Sequence, residues 1–227
     1  MKLWNKNTKM IKNSFFITHN KDWGMRNMDE RVDEKILDFI NAAEEKELRK
    51  DITEGLVKIN NKFYEFEETE FLDGALKMYI PSTFEDMPME ARKLKYPSES
   101  RPEIIKCNED GSIAITLKFI NSPLDDDHIE ELKGIMKLIT QRLNPANIYF
   151  DEDIIDVDKK KIGYFDYKSS AIDDFLYNIM FFLELQGKTL MGTFSCSYSE
   201  HEHWKDDIVF QILKTIKINK EICSENS

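Results

Sequence analysis

The stretch Phe175–Tyr198, FLYNIMFFLELQGKTLMGTFSCSY, decides the architecture. Two runs of apolar and β-favouring residues meet at Gln186-Gly187-Lys188. Gly187-Lys188 suits a two-residue type II′ turn, because glycine takes positive φ at the first central position. That turn predicts the pairs Gln186–Thr189, Leu185–Leu190, Leu183–Gly192, Phe181–Phe194, Ile179–Cys196 and Tyr177–Tyr198. These residues share one side of the sheet, the first face. The alternate row makes the second face: Glu184 with Met191, Phe182 with Thr193, Met180 with Ser195 and Asn178 with Ser197. A slip of one residue sets the apolar row of one strand beside the mixed row of the other. The first face is therefore expected to be deep core. The second is half apolar, so it expects a cover as well.

Outward from the hairpin, the same patterns assign the rest of the chain. Phe63 to Phe66 and Ala75 to Ile80 read as strands joined through Asp73-Gly74, with Pro81 ending the second. Ser82 to Pro97 reads as a loop with a helical turn at Met89 to Leu94. Glu103 to Cys107 and Ser112 to Phe119 form a hairpin through Asp110-Gly111. A helix is expected from Asp126 to Leu143, with Asp127 and Glu130 spaced as a capping box and Asn144-Pro145 as its stop. Its predicted buried stripe is Ile129, Leu132, Ile135, Met136, Ile139 and Leu143. Short strands follow at Ile148 to Phe150, Ile154 to Val157 and Ile162 to Tyr167. After the hairpin, Ser199 and Glu202 predict a capped helix with Trp204, Ile208, Val209, Ile212 and Leu213 inward, then a strand at Ile216 to Ile218. Tight hairpin turns imply a mostly antiparallel sheet, and flanking helices make an α+β sandwich.

Ahead of this body, Met28 to Lys50 reads as a helix with the narrow stripe Val32, Ile36, Phe39, Ile40 and Ala43. An isolated helix of that length is marginal in water, so the stripe calls for a docking surface. Ser14 to Thr18 is a short strand candidate. The expected division is a basic tail and helical extension over 1–60 and an α+β domain over 61–227.

The 227 residues carry a net charge of −11, with 41% hydrophobic and 33% charged residues. The acidic balance disfavours nucleic acid, whose phosphates need basic surface. Charge is uneven: residues 1–28 hold six Lys and Arg against Asp22 alone, which is +5, and the rest hold 26 against 42, which is −16. A basic N-terminus of this kind reads as a solvated tail or as a segment that meets acidic surface. The longest apolar run near the N-terminus is Phe15-Phe16-Ile17, too short for a signal peptide core of about 7–15 residues. No run of roughly 18 apolar residues occurs, so no membrane insertion is expected. Cys107, Cys196 and Cys223 read as reduced thiols of a cytoplasmic protein.

The chain resembles the Mog1/PsbP-like fold group, which includes the DUF1795/DcrB-type bacterial proteins. The resemblance covers roughly Phe71 to Ile218. It rests on Leu76-Lys77-Met78-Tyr79-Ile80-Pro81-Ser82-Thr83-Phe84, on Lys95-Tyr96-Pro97-Ser98-Glu99-Ser100-Arg101-Pro102, and on strand Ile113 to Phe119 running into the Asp126 helix. The order Phe165-Asp166-Tyr167, long hairpin, Trp204 helix and final strand completes it. The resemblance implies an antiparallel sheet flanked by helices and a non-enzymatic binding or assembly role. It carries over no catalytic residue, since no catalytic motif defines the group.

No constellation in the sequence names a chemistry. His201-Glu202-His203 at a helix start splays its imidazoles about 200° apart, which does not suit one metal ion. Asp125-Asp126-Asp127 and Asp151-Glu152-Asp153 lack the spacing of a calcium loop. Ser195-Cys196-Ser197 lacks the glycine-flanked elbow of a nucleophile, and Cys196 falls on the inward row. There is no glycine-rich phosphate loop. The expectation is no catalytic, cofactor or metal site, no cofactor, and another protein as the partner. The function reading is a non-catalytic binding module: an adaptor, a chaperone-like factor or an immunity-type protein. The alternative is a small-molecule-binding or hydrolytic enzyme with a pocket at one end of the sheet. Candidate partner-binding residues are Met87, Met89, Tyr96, Met180, Phe182 and Met191, because methionine adapts to varied surfaces. The competing reading of each is ordinary core.

Overall fold

The computed structural model describes residues 51–171 and 174–219. The chain divides into Met1–Arg49 and Lys50–Ser227, and every described residue lies in the second unit. The expected Ser14 strand and Met28 helix, and Cys223, lie outside the described residues.

Two antiparallel sheets build the body. The smaller has four strands in the order β1-β2-β3-β11. These are β1 (Leu56–Ile59), β2 (Lys62–Phe71), β3 (Leu76–Pro81) and β11 (Lys217–Ile218). Strand β1 was not expected. Its signal is Asn60-Asn61 between two apolar runs, and Asn60 takes the left-handed turn conformation at φ 55°. Pro81, which has no N–H to donate, closes β3. The chain then passes to the larger sheet through β4 (Glu85–Asp86) and helix α1 (Met89–Lys95).

The larger sheet has seven strands in the order β4-β5-β6-β10-β9-β8-β7. They are β5 (Ile104–Cys107), β6 (Ala114–Pro123), β7 (Ile148–Val157), β8 (Lys160–Ser170), β9 (Phe175–Leu185) and β10 (Lys188–Ser197), with β4 at one edge. Strand β7 is one continuous strand with a bulge between Tyr149 and Glu152, not the two pieces expected. Helix α2 (Ile129–Leu143) follows β6 through a 3-10 turn at Asp126–His128. The C-terminal helical stretch is α3 (His201–Trp204), a π-helical turn (Lys205–Val209) and α4 (Phe210–Lys214). Helices on both faces of a mostly antiparallel sheet give the expected α+β class.

The central hairpin corrects the expected register. The turn is Gln186-Gly187, with φ of 57° and 72°, the type I′ geometry. Leu185 pairs with Lys188, Leu183 with Leu190, Phe181 with Gly192, Ile179 with Phe194 and Tyr177 with Cys196. The ladder has moved by two residues from the expected one, and a move of two keeps every side chain on its face. Packing selects this register. A Cβ on Gly192 would lie 2.0 Å from the Phe181 ring, so the ring lies across a glycine that no other residue could replace without a shift.

One continuous core joins the first face of the larger sheet to the smaller sheet and the C-terminal helices. Ile52, Val57, Leu76, Met78 and Ile80 meet Ile179, Phe181, Leu183, Phe194 and Cys196 in it. Trp204 centres the join, 5.3 Å from the Tyr64 ring and 5.4 Å from Phe194. Trp204, Ile208, Val209, Ile212 and Leu213 are all buried, as their spacing predicts. The predicted Ser199–Glu202 cap is absent; the stretch opens with a 3-10 turn at Tyr198–Glu200, and no side chain caps it.

Candidate functional site

The second face of the seven-stranded sheet is covered at its two sides by different elements. Helix α2 sits over β8 and β9. Ile129 presses on Gly163, where a Cβ would fall 2.7 Å from the Ile129 methyl. Below the helix, Phe165 and Phe182 are fully buried, with ring centroids 5.9 Å apart, and Tyr149 lies 5.9 Å from Phe165.

Polar contacts turn α2 toward β7. The Lys133 ammonium, buried, lies 3.1 Å from Glu130 and 3.9 Å from Glu152. Lys137 donates to Glu152 at 2.7 Å, and Tyr149 donates its hydroxyl to Thr140 at 2.7 Å. The buried residues of α2 are therefore Ile129 and Lys133. The predicted stripe is only partly docked: Ile135, Ile139 and Leu143 are 46%, 41% and 80% exposed. The predicted Asp127–Glu130 cap is also replaced. The Asp125 carboxylate accepts from the N–H groups of Asp127 and His128, at 3.0 and 3.1 Å.

The other side, over β5 and β6, is covered by α1 and the segment after it. Met87, Ile105, Cys107 and Ala114 form a small buried cluster with Tyr96 packed on it. Tyr96 shares a side-chain hydrogen bond with Ser195 of β10, and burial raises its pKa. The segment is clipped down by three cations. Arg92 donates to the Met87 carbonyl at 2.8 Å, Arg101 to the Ser98 carbonyl at 3.0 Å, and Lys118 to the Ser100 carbonyl at 2.7 Å.

Between these covers lies the middle of the sheet. Met180 of β9 and Met191 and Thr193 of β10 are half-buried there, while Phe182 beside them is sealed. With Lys133, Lys137 and Thr140 turned to β7, helical spacing turns Leu132 and Met136 to the opposite flank, toward β10. The opening thus has a methionine floor and an aliphatic wall.

The six candidate residues separate on this geometry. Met87 and Phe182 are core, at 4% and 0% exposure, so neither offers surface to a partner. Met89, 59% exposed, stands on the outside of α1. Tyr96, Met180 and Met191 are half-buried on one face of the sheet. The aliphatic wall from α2 was not among the candidates; the excess width of its apolar stripe was the signal.

Two other groups bear on chemistry. Cys196 is fully buried, and burial pushes its thiol up to about 12, far from the thiolate a nucleophile needs. His201 donates its Nδ1–H to the Tyr198 carbonyl at 2.6 Å, and its ring stacks on Tyr198 at 4.2 Å. Among the described residues no three His, Cys, Asp or Glu side chains are placed to hold a metal ion.

A buried carboxylate that sequence alone did not reveal is Asp166, on the first face. It accepts from the Tyr177 hydroxyl and the Asp151 N–H, each at 2.6 Å, and pairs with Lys205 at 2.9 Å. Lys205 also bonds Asp151 at 2.7 Å. The network ties the π-helical turn to β7 and β8.

No family model matches the sequence, and no curated protein is similar to it. Among solved structures, the chain is similar to cyanobacterial PsbP (CyanoP) from Synechocystis sp. PCC 6803. The TM-score is 0.50 at 8% identity, over 68% of this chain and 92% of that one. A Bacteroides thetaiotaomicron protein aligns at TM-score 0.43 and 8% identity, over 68% of this chain and 49% of its own. PA94 from Pseudomonas aeruginosa, a protein of unknown function, aligns at 0.41 and 12%, over 68% of this chain and 97% of its own. At 8% identity the likeness to CyanoP speaks for the fold alone. The described body has the Mog1/PsbP-like α+β fold.

Proposed function

We propose that this chain is a non-catalytic protein-binding module, of the adaptor, chaperone-like or immunity type. Its opening over β10 takes an amphipathic helix of the partner. The observation that carries the reading is the half-buried row Met180, Met191 and Thr193 in the middle of a sheet whose sides are covered. Strand β10 is paired on both edges, with β6 and with β9. A partner strand therefore finds no free edge there, and recognition must go through side chains. An apolar helix face in a groove is the mode that does this. Methionine suits it, because an unbranched thioether repacks around varied shapes. The excess of 16 negative charges over residues 29–227 favours partner helices flanked by Lys and Arg.

The test is crosslinking of the tagged full chain in its own cells, followed by calorimetry with a synthetic peptide from the captured protein. The expected result is a helical, basic-flanked peptide that binds the native chain. Met180→Glu with Met191→Glu abolishes that binding, and Leu94→Glu on exposed α1 leaves it intact. Capture that survives the double substitution would sink the reading.

A further inference from the structure

Helix α2 carries more apolar surface than the sheet beneath it uses. Docking on a sheet needs an apolar stripe of about 100°. Here the apolar arc continues past the docked side and round to the solvent side. Ile135, Leu138 and Ile139 are 46%, 55% and 41% exposed there. A run of this kind on an outward helix face marks a contact surface, since single exposed apolar residues are ordinary but a contiguous stripe is not.

The arrangement of this face identifies its occupant. Glu131 and Arg142 are exposed at its two ends. The face is symmetric about the point between Met136 and Lys137. Glu131 mirrors Arg142, Ile135 mirrors Leu138, and Gly134 mirrors Ile139. At about 100° per residue these pairs also straddle one outward direction. Laid antiparallel on a second copy, Glu131 of each chain comes level with Arg142 of the other. Ile135 comes level with Leu138, and Ile139 with Gly134. A side chain at Gly134 would meet nothing within 4 Å, so space for the isoleucine is open. A parallel arrangement would set Glu131 against Glu131 and align the helix dipoles, both unfavourable.

We propose that the outer face of α2 is an isologous two-fold contact between two copies of this chain. The contact uses the solvent side of α2, whereas the Met180/Met191 opening lies on its sheet side, so the two can fail separately. A fifteen-residue helix is about 22 Å long, and its face alone falls short of the roughly 800 Å² per partner of a stable interface. The dimer is accordingly reversible and grows with concentration.

Sedimentation velocity on the full chain, from about 5 to 500 μM, tests it. The expected result is a monomer–dimer equilibrium within that range. Ile135→Glu with Leu138→Glu holds the chain monomeric throughout, with an unchanged circular dichroism spectrum. Glu131→Arg weakens the dimer about fivefold, and adding Arg142→Glu in the same chain restores it, which a merely misfolded variant would not do. A monomer at the highest concentration overturns the proposal. So does a dimer that survives the double glutamate substitution, because its contact then lies elsewhere, or a charge swap that fails to restore what the single change removed.

Discussion

The two faces of the β9–β10 hairpin share one backbone and differ in how they are closed. On the first face Tyr177, Ile179, Phe181, Leu183, Phe194 and Cys196 are all sealed, and a second sheet and the C-terminal helices lie on them. On the second face Phe182 is sealed, but Met180, two residues along β9, and Met191, directly across from Phe182 on β10, are only half-buried. The residue types already differ: aromatic and branched aliphatic side chains fill the first face, while methionine occupies the open part of the second. Rigid shapes specify a unique core, and flexible ones tolerate a changing neighbour. Burial in this hairpin therefore follows what lies across each face rather than the strands themselves.

The strongest way to break this contrast is to damage the first face where a charge is buried. Lys205→Met removes the cation facing Asp166 and leaves the carboxylate to its two neutral donors, Tyr177 and the Asp151 N–H. Truncating one partner of a buried pair costs about 3–5 kcal/mol. Urea unfolding should show a loss of that size. A loss under about 1 kcal/mol would mean that water reaches Asp166 and the first face is not sealed at that end.

A smaller effect comes from the register itself. Gly192→Ala places a methyl where the Phe181 ring lies, so the ring or the strand must move. Overpacking of this kind costs about 1–3 kcal/mol. Combining it with Phe181→Leu should recover part of that loss, giving a coupling that additive effects cannot produce. Strict additivity would show that the ring does not hold the register.

The hairpin also shows how far residues alone reach. Its two faces were legible, because a period of two survives a register error of two. The turn was not, because Gly187 supports either Gly187-Lys188 or Gln186-Gly187, and only the Phe181–Gly192 contact across the sheet decides between them. The stripe on α2 was legible as apolar but not in its direction, which is set by Glu152 and Tyr149 of β7 holding Lys133, Lys137 and Thr140. Asp166 reads as one acid among many; its burial depends on Tyr177 and Lys205 arriving from β9 and the π-helical turn. Of the candidate residues, Met180 and Met191 stand at the opening, while Met87 and Phe182 differ from them only by what covers them.

The cysteines offer a finer comparison, one on each face. Cys196 lies in the main core with its thiol raised to about 12. Cys107 lies in the small cluster under Tyr96, and burial raises its pKa as well. Reaction requires the thiolate and access, so each thiol reports the opening of its own cover. In a Cys223→Ser background, mass-mapped alkylation at pH 8 should modify Cys107 at least tenfold faster than Cys196, equivalent to about 1.4 kcal/mol less protection. Equal rates would mean that the Tyr96 cover opens only with the whole domain.

The smallest expected effect is the most telling for function. Met191→Gln keeps length and flexibility but puts an amide on the floor of the opening. If that floor is solvated in the free protein, the amide finds water and stability changes by no more than about 0.5 kcal/mol. If the floor is dry and closed, an unpaired amide costs about 1–3 kcal/mol. The two outcomes are resolved by urea unfolding without knowledge of any partner. A near-neutral result would mean that Met191 contributes little to holding the fold, and so make contact with another molecule the simplest account of an apolar side chain in that place.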